Sequence, residues 1–207
     1  MRIGGLRKLS LIDYPGEIST VIFTTGCNFR CIFCHNSHLV LPELYQPDMD
    51  ADIIIGFLKS RIGKISAVVI SGGEPTLHKD LPQFIADIKK LGFKIKLDTN
   101  GTNPSALQSL ISEGLIDFVA MDIKASPENY NTICGVNVDL TAISSSINII
   151  KNSSLEHQFR ITLIKGYHSE EEIKKAGELT AGEVLVKQYF KYEESVLDKN
   201  LTKDNEF

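Results

Sequence analysis

Apolar, β-branched runs alternate with amphipathic stretches along the whole chain, and that alternation restricts the fold more than any single motif. Residues 18–25, 67–70, 93–97, 118–121, 158–164 and 183–189 read as six strands. Between them, residues 52–62, 81–91, 104–111, 140–151 and 170–178 carry apolar side chains at helical spacing, as with Ile54, Ile55, Leu58 and Ile62. Asn103 stands where an N-cap is expected, just before Pro104. Parallel neighbours need helical crossovers, so the pattern predicts one α/β domain over residues 1–207 with a parallel sheet, either a partial barrel or an open doubly wound sheet. Residues 1–16 read as a mixed lead-in ending in the turn Tyr14-Pro15-Gly16, and the polar residues 193–207 as a tail that frays.

In both candidate architectures ligands gather at the carboxyl ends of the strands. The unusual residues of this chain follow strands. The first strand runs into Gly26 and then Cys27-Asn28-Phe29-Arg30-Cys31-Ile32-Phe33-Cys34. Three thiolates at this spacing can hold three irons of a [4Fe–4S] cube and leave the fourth iron to a ligand that is not protein, where electron-transfer sites use four cysteines. Spacing alone leaves two alternatives open: structural zinc recruiting His35 or His38, and a disulfide. Cys134 lies a hundred residues away with no ligand spacing and reads as a small core residue.

Four more loops bring polar chemistry to the same edge, the last of them Lys165-Gly166. Ser71-Gly72-Gly73-Glu74-Pro75 lets the backbone approach a ligand, with Glu74 offering a carboxylate and the glycines offering carbonyl acceptors to a ligand ammonium. A side chain at Gly73 is expected to fill the space that ammonium needs. Asp98 and Asp122 each follow the last apolar residue of a strand, where carboxylates can bind ribose hydroxyls or a cation, or can serve as N-caps. Lys124 and Arg160 can pair with a carboxylate of a ligand or with Asp122.

Composition narrows the partners. Lys plus Arg is 22 and Asp plus Glu is 26, a net charge of −4, which makes no electrostatic case for nucleic acid or a membrane surface. The N-terminal residues contain no apolar run of signal-peptide length, and no stretch reaches the length of a transmembrane helix. The expectation is a cytoplasmic protein with reduced thiols.

The spacing Cys27-x3-Cys31-x2-Cys34, with Phe33 before the last cysteine and Gly72-Gly73-Glu74-Pro75 on the next strand, resembles the radical S-adenosylmethionine (SAM) enzymes. Gly26 to Cys31, Cys34-His35-Asn36, Leu97-Asp98-Thr99-Asn100-Gly101 and Asp122-Ile123-Lys124 are similar to the activating enzymes of glycyl-radical enzymes. The opening, Ile3 to Leu6 and Ser10 to Gly16, resembles the activating proteins of anaerobic ribonucleoside-triphosphate reductases. The resemblance implies a partial (β/α)6 barrel of the radical SAM type, with a [4Fe–4S] cluster on Cys27, Cys31 and Cys34. It implies S-adenosylmethionine held by Phe33, Asn36, Gly72, Gly73, Glu74, Asp98, Thr99, Asp122, Lys124 and Arg160, with a monovalent cation near Asp98 and Asp122. It further implies reduction by a flavodoxin or ferredoxin and hydrogen abstraction from a glycine of the reductase. Activases of the pyruvate formate-lyase type and small-molecule enzymes of the 7-carboxy-7-deazaguanine synthase kind are the alternatives. Some relatives carry a histidine near the end of the last strand, where this chain has Tyr189-Phe190.

Overall fold

A computed structural model describes all 207 residues. Seven strands form one sheet in the order of the sequence: β1 (Ile3–Ser10), β2 (Ser19–Thr24), β3 (Ala67–Gly72), β4 (Lys94–Thr99), β5 (Phe118–Asp122), β6 (Glu156–Leu163) and β7 (Leu185–Tyr189). The pairs from β2 to β7 are parallel, and β1 runs antiparallel to β2. Sequential order with right-handed crossovers puts the connecting helices on one face of the sheet. The other face curls inward, and β1 and β7 stay unpaired with each other, so the barrel is partial.

The crossovers carry α1 (Ser37–Val40) and α2 (Ala51–Lys59), then α3 (Leu81–Lys89), α4 (Pro104–Ser112), α5 (Tyr130–Cys134), α6 (Leu140–Lys151) and α7 (Glu170–Glu178). Side-chain caps start four of the five longer helices, α3 being the exception. Asp50, Asn103, Asp139 and Ser169 accept hydrogen bonds from backbone N–H groups of the first turn, so Asn103 caps α4 as its sequence suggested. The main core lies between helices and sheet, where Ile22, Ile70, Leu97, Val119 and Ile161 are fully buried. Tyr14, Val21, Ala67, Val69, Phe118 and Ala120 make a smaller apolar cluster on the concave side and floor the barrel interior.

Two segments differ from expectation. The lead-in is not irregular: Ile3–Ser10 is an eight-residue strand. Gly4-Gly5 and Arg7-Lys8 hide it, because an edge strand is held by its partner more than by its own propensity. Residues 193–207 are packed against the domain. Val196 and Leu201 are buried, and the N–H groups of Leu197 and Asp198 donate to the carbonyls of Cys34 and Ile32 at 3.0 Å each. The tail therefore braces the outside of the cysteine loop. No helix is long and apolar enough to cross a membrane.

Candidate active site

The loops after β2 through β5, together with residues of β6 and the end of β7, surround a cavity of about 400 Å³ at the carboxyl edge. Cys27, Cys31, Cys34, Phe33, Asn36, Gly72, Gly73, Glu74, Asp98, Thr99, Asp122, Lys124 and Arg160 all line it. Four loops and the strands β3 to β6 thus bring every sequence-predicted site residue to one place.

The cysteine loop is held in shape by its neighbours. Arg30 donates from Nη1 to the carbonyls of Cys27 and Phe29 at 2.8 Å each. Asn28 bonds Thr102 and Asn100, both at 2.9 Å, which ties the loop to the one after β4. The Arg30 and Ile32 N–H groups donate to the carbonyls of Cys134 and Ile133, so α5 backs the loop. All four cysteines are free thiols, which answers the disulfide alternative.

Burial pushes the Cys27 thiol up to about 12 and raises Cys34 as well. Cys31 moves the other way, because the fully buried Cys134 thiol bonds it and Lys124 adds positive charge. Cys134 is therefore more than core filling: it sits directly behind Cys31.

Three thiols on one cavity wall suit a cluster that offers separate irons to separate ligands. No three His, Cys, Asp or Glu side chains converge tightly enough for a single metal ion, as tetrahedral zinc would require. His35 is committed elsewhere: its Nε2 meets the Lys191 carbonyl at 2.5 Å and its ring stacks on Phe190.

Glu74 and Thr99 are tied into the wall of the cavity by hydrogen bonds. The Glu74 side chain has no exposure. Its carboxylate accepts from the Thr76 N–H at 3.1 Å, the Thr76 hydroxyl at 2.5 Å, the Thr99 hydroxyl at 2.8 Å and the Asn100 N–H at 2.6 Å. The Thr99 hydroxyl also accepts from the Gly101 N–H at 3.1 Å. Both side chains join the loop after β3 to the loop after β4. Gly72 and Gly73 are required by the fold itself. Gly72 has φ of +115°, and a Cβ on Gly73 would overlap the carbonyl of Gly26 next to Cys27.

On the opposite wall the charges are paired. Arg160 Nε lies 2.8 Å from Asp122 and its Nη1 lies 3.5 Å from Asp98, while Lys124 Nζ lies 3.1 Å from Asp122. Burial pushes the Asp122 carboxyl up, but Arg160 and Lys124 outweigh it and hold Asp122 well below the usual carboxylate range. Lys124 also sits 5.5 Å from the Phe33 ring centroid, a cation–π contact. Asn36 makes no side-chain cap on α1, so its amide is free to meet a ligand.

Sequence reasoning missed several parts. His168 is buried and joins the Ile164 N–H to the Lys124 carbonyl, fixing the loop that carries Lys124. Thr162, Gln188 and Tyr189 also line the cavity. Lys96, beneath Asp98, was not singled out from its strand. Only period-two alternation on a closed interior could have marked these residues.

The Radical SAM superfamily profile matches residues 21–179. A Methanocaldococcus jannaschii protein named as a glycyl-radical enzyme activating enzyme is 36% identical over 83% of this chain and 72% of its own length. A second protein of that name from the same organism is 32% identical over 68% of this chain and 53% of its own length. A Pyrococcus horikoshii protein named as a GTP 3′,8-cyclase is 28% identical over 83% of this chain, which spans 56% of that relative. Among solved structures, TYW1 with a lysine-pyruvate adduct matches with a TM-score of 0.64 at 21% identity, over 91% of this chain and 68% of that one. Escherichia coli coproporphyrinogen III oxidase matches at 0.60 and 14% identity, over 90% of this chain and 47% of that one. These two likenesses speak for the fold.

Proposed function

The chain belongs to the radical SAM superfamily, and from that premise we propose that it is a cytoplasmic activase of a glycyl-radical enzyme. The similarity to proteins named as glycyl-radical enzyme activating enzymes, over 83% of this chain in one case, carries this reading. Superfamily membership makes it an enzyme that uses a [4Fe–4S] cluster and S-adenosylmethionine. The proposed partner is anaerobic ribonucleoside-triphosphate reductase, which the opening segment of the sequence favours, and the proposed reductant is a flavodoxin or ferredoxin.

The residues fit the cofactors. Cys27, Cys31 and Cys34 would hold the cluster, and the Gly72 and Gly73 carbonyls would receive the ammonium of S-adenosylmethionine. Lys124 and Arg160 would receive its carboxylate, with Asp98 and Asp122 keeping them in line. Phe33 and Asn36 would meet the adenosyl end. When bound, the cluster and S-adenosylmethionine supply reductive cleavage of a sulfonium and abstraction of a hydrogen atom. The chain's own contribution is position and dryness: the floor formed by Tyr14, Val21, Val69 and Phe118 closes the interior from below. A glycine Cα suits such a reaction, because a radical there is stabilised by both flanking amides and no side chain blocks the approach.

Mixing reduced protein, S-adenosylmethionine and the reductase without oxygen tests this. The expected result is a doublet electron paramagnetic resonance signal that vanishes when the reductase glycine is changed to alanine. The relatives named as GTP cyclases support a second reading, a small-molecule radical enzyme. Cleavage stimulated by a small molecule, with no protein radical on any glycyl-radical enzyme of the source, would replace the first reading with the second.

A further inference from the structure

Two interior carboxylates facing one cavity, Asp98 and Asp122, are by themselves an invitation to a cation, and a monovalent ion is the sequence-based expectation there. The chain brings its own cations to both. Asp122 is bonded by Arg160 and Lys124, and Asp98 is approached by Arg160 from the cavity side. From below, Asp98 is paired with Lys96. Lys96 stands two residues earlier on the same face of β4, one layer deeper in the barrel, and its side chain is 2% exposed.

A lysine is almost never this buried without a partner. Beneath it lies the apolar floor, with Phe118 presenting its ring 5.9 Å from the ammonium and Tyr14 packed against Phe118. Asp98 is the one carboxylate bonded to that ammonium. Lys96, Lys124 and Arg160 set three positive charges against the two negative charges of Asp98 and Asp122. The group needs no added cation to offset its carboxylates and carries one positive charge in excess.

We propose that Lys96 is a built-in counter-ion that takes the place of an alkali-metal ion beside Asp98, so that this protein binds S-adenosylmethionine independently of sodium or potassium. The excess positive charge is directed at the ligand's carboxylate through Arg160 and Lys124, which line the cavity where Lys96 does not. Lys96 is thus a positioning residue. It neutralises Asp98 from behind and leaves the Arg160 guanidinium free to turn its remaining donors outward. The inference rests on S-adenosylmethionine being the ligand and not on which partner is activated.

The test is calorimetric titration of the cluster-loaded protein with S-adenosylmethionine in buffers whose only monovalent cation is potassium, sodium or tetramethylammonium, the last too bulky for the site. The wild-type affinity is expected to agree within about twofold in all three, well inside the effect of losing a supporting partner. Lys96→Met is expected to bind about tenfold or more weakly in tetramethylammonium and to recover in potassium or sodium. Lys96→Arg should keep the wild-type independence. Thermal unfolding of cluster-free Lys96→Met should show the same alkali rescue, a response that lost packing alone would not give. Wild-type binding that collapses in tetramethylammonium overturns the inference without needing any variant, and so does a Lys96→Met affinity that ignores the cation. Absence of binding in every buffer removes the ligand itself, and with it the inference.

Discussion

The backbone N–H of Asn100 donates to Glu74 Oε2 at 2.6 Å, joining the loop after β4 to the loop after β3 inside the protein. Two threonine hydroxyls and a second N–H complete the carboxylate's acceptor set. Asn100 in turn bonds Asn28 of the cysteine loop. A chain of polar contacts therefore runs from Glu74 to the cysteine loop.

That chain predicts a stability effect. In Glu74→Gln, an amide NH2 must face donors, leaving a buried group unsatisfied at a cost of about 1–3 kcal/mol. Urea unfolding of the cluster-free protein measures it. A variant of unchanged stability but weakened S-adenosylmethionine affinity would put Glu74 on the ligand side.

Gly73→Val is expected to deprive the protein of iron. The new Cβ overlaps the Gly26 carbonyl and crowds the Cys27 N–H, both backbone groups that cannot swing aside. The cysteine loop must move, so anaerobic reconstitution should yield well under the about four irons per chain of a [4Fe–4S] cluster. The sequence alone pointed to a loss of ligand space with the cluster spared. Full iron content in Gly73→Val, with S-adenosylmethionine binding abolished, would restore that account.

The parallel sheet, the cysteine loop and the convergence of four loops were legible because strand-helix alternation and the rule of carboxyl ends act locally and in order, while Lys165-Gly166 after β6 lies outside the cavity. What was not legible depended on curvature. In Phe93-Lys94-Ile95-Lys96-Leu97 the two lysines look equivalent, yet Lys94 is exposed at the rim beside Glu17 and Lys96 is enclosed within the barrel. Alternation says which residues share a face, and only closure of the sheet says that the face is dry. Cys134 was hidden for a similar reason. A hundred residues of chain separate it from Cys31, and the short helix α5 that delivers it has no strong periodicity of its own.

Acid should expose the role of Asp122. Its folded carboxyl titrates below the unfolded value of about 3.9, so its stabilising contribution is complete above that value. The contribution fades as pH falls through the acid range toward the folded value. At pH 7, Asp122→Asn leaves Arg160 and Lys124 without their shared anion, at a cost of about 3 kcal/mol. The gap between wild type and variant in urea midpoint should hold from pH 7 to about pH 5 and narrow as pH falls below about 4. A gap that stays constant with pH would mean that the pair of cations does not depend on the carboxylate charge.

The last residues of the chain supply the final prediction. Leu197 and Asp198 donate their N–H groups to the carbonyls of Cys34 and Ile32, and the segment is pinned by Val196 and Leu201, each 1% exposed. Lys165 and Asn205 add a reciprocal pair of hydrogen bonds from the loop after β6. A cluster ligand is only as steady as its backbone, and Cys34 has the tail as its outer support. Leu201→Ala should cost about 2–5 kcal/mol in the cluster-free protein, as buried leucines usually do. Leu197→Pro deletes one of the two supporting donors with little loss of apolar burial. Both variants should release iron to a chelator faster than wild type under anaerobic conditions, and Leu197→Pro should do so with the smaller loss of global stability. A tail that frayed in solution would leave iron release and stability unchanged in both.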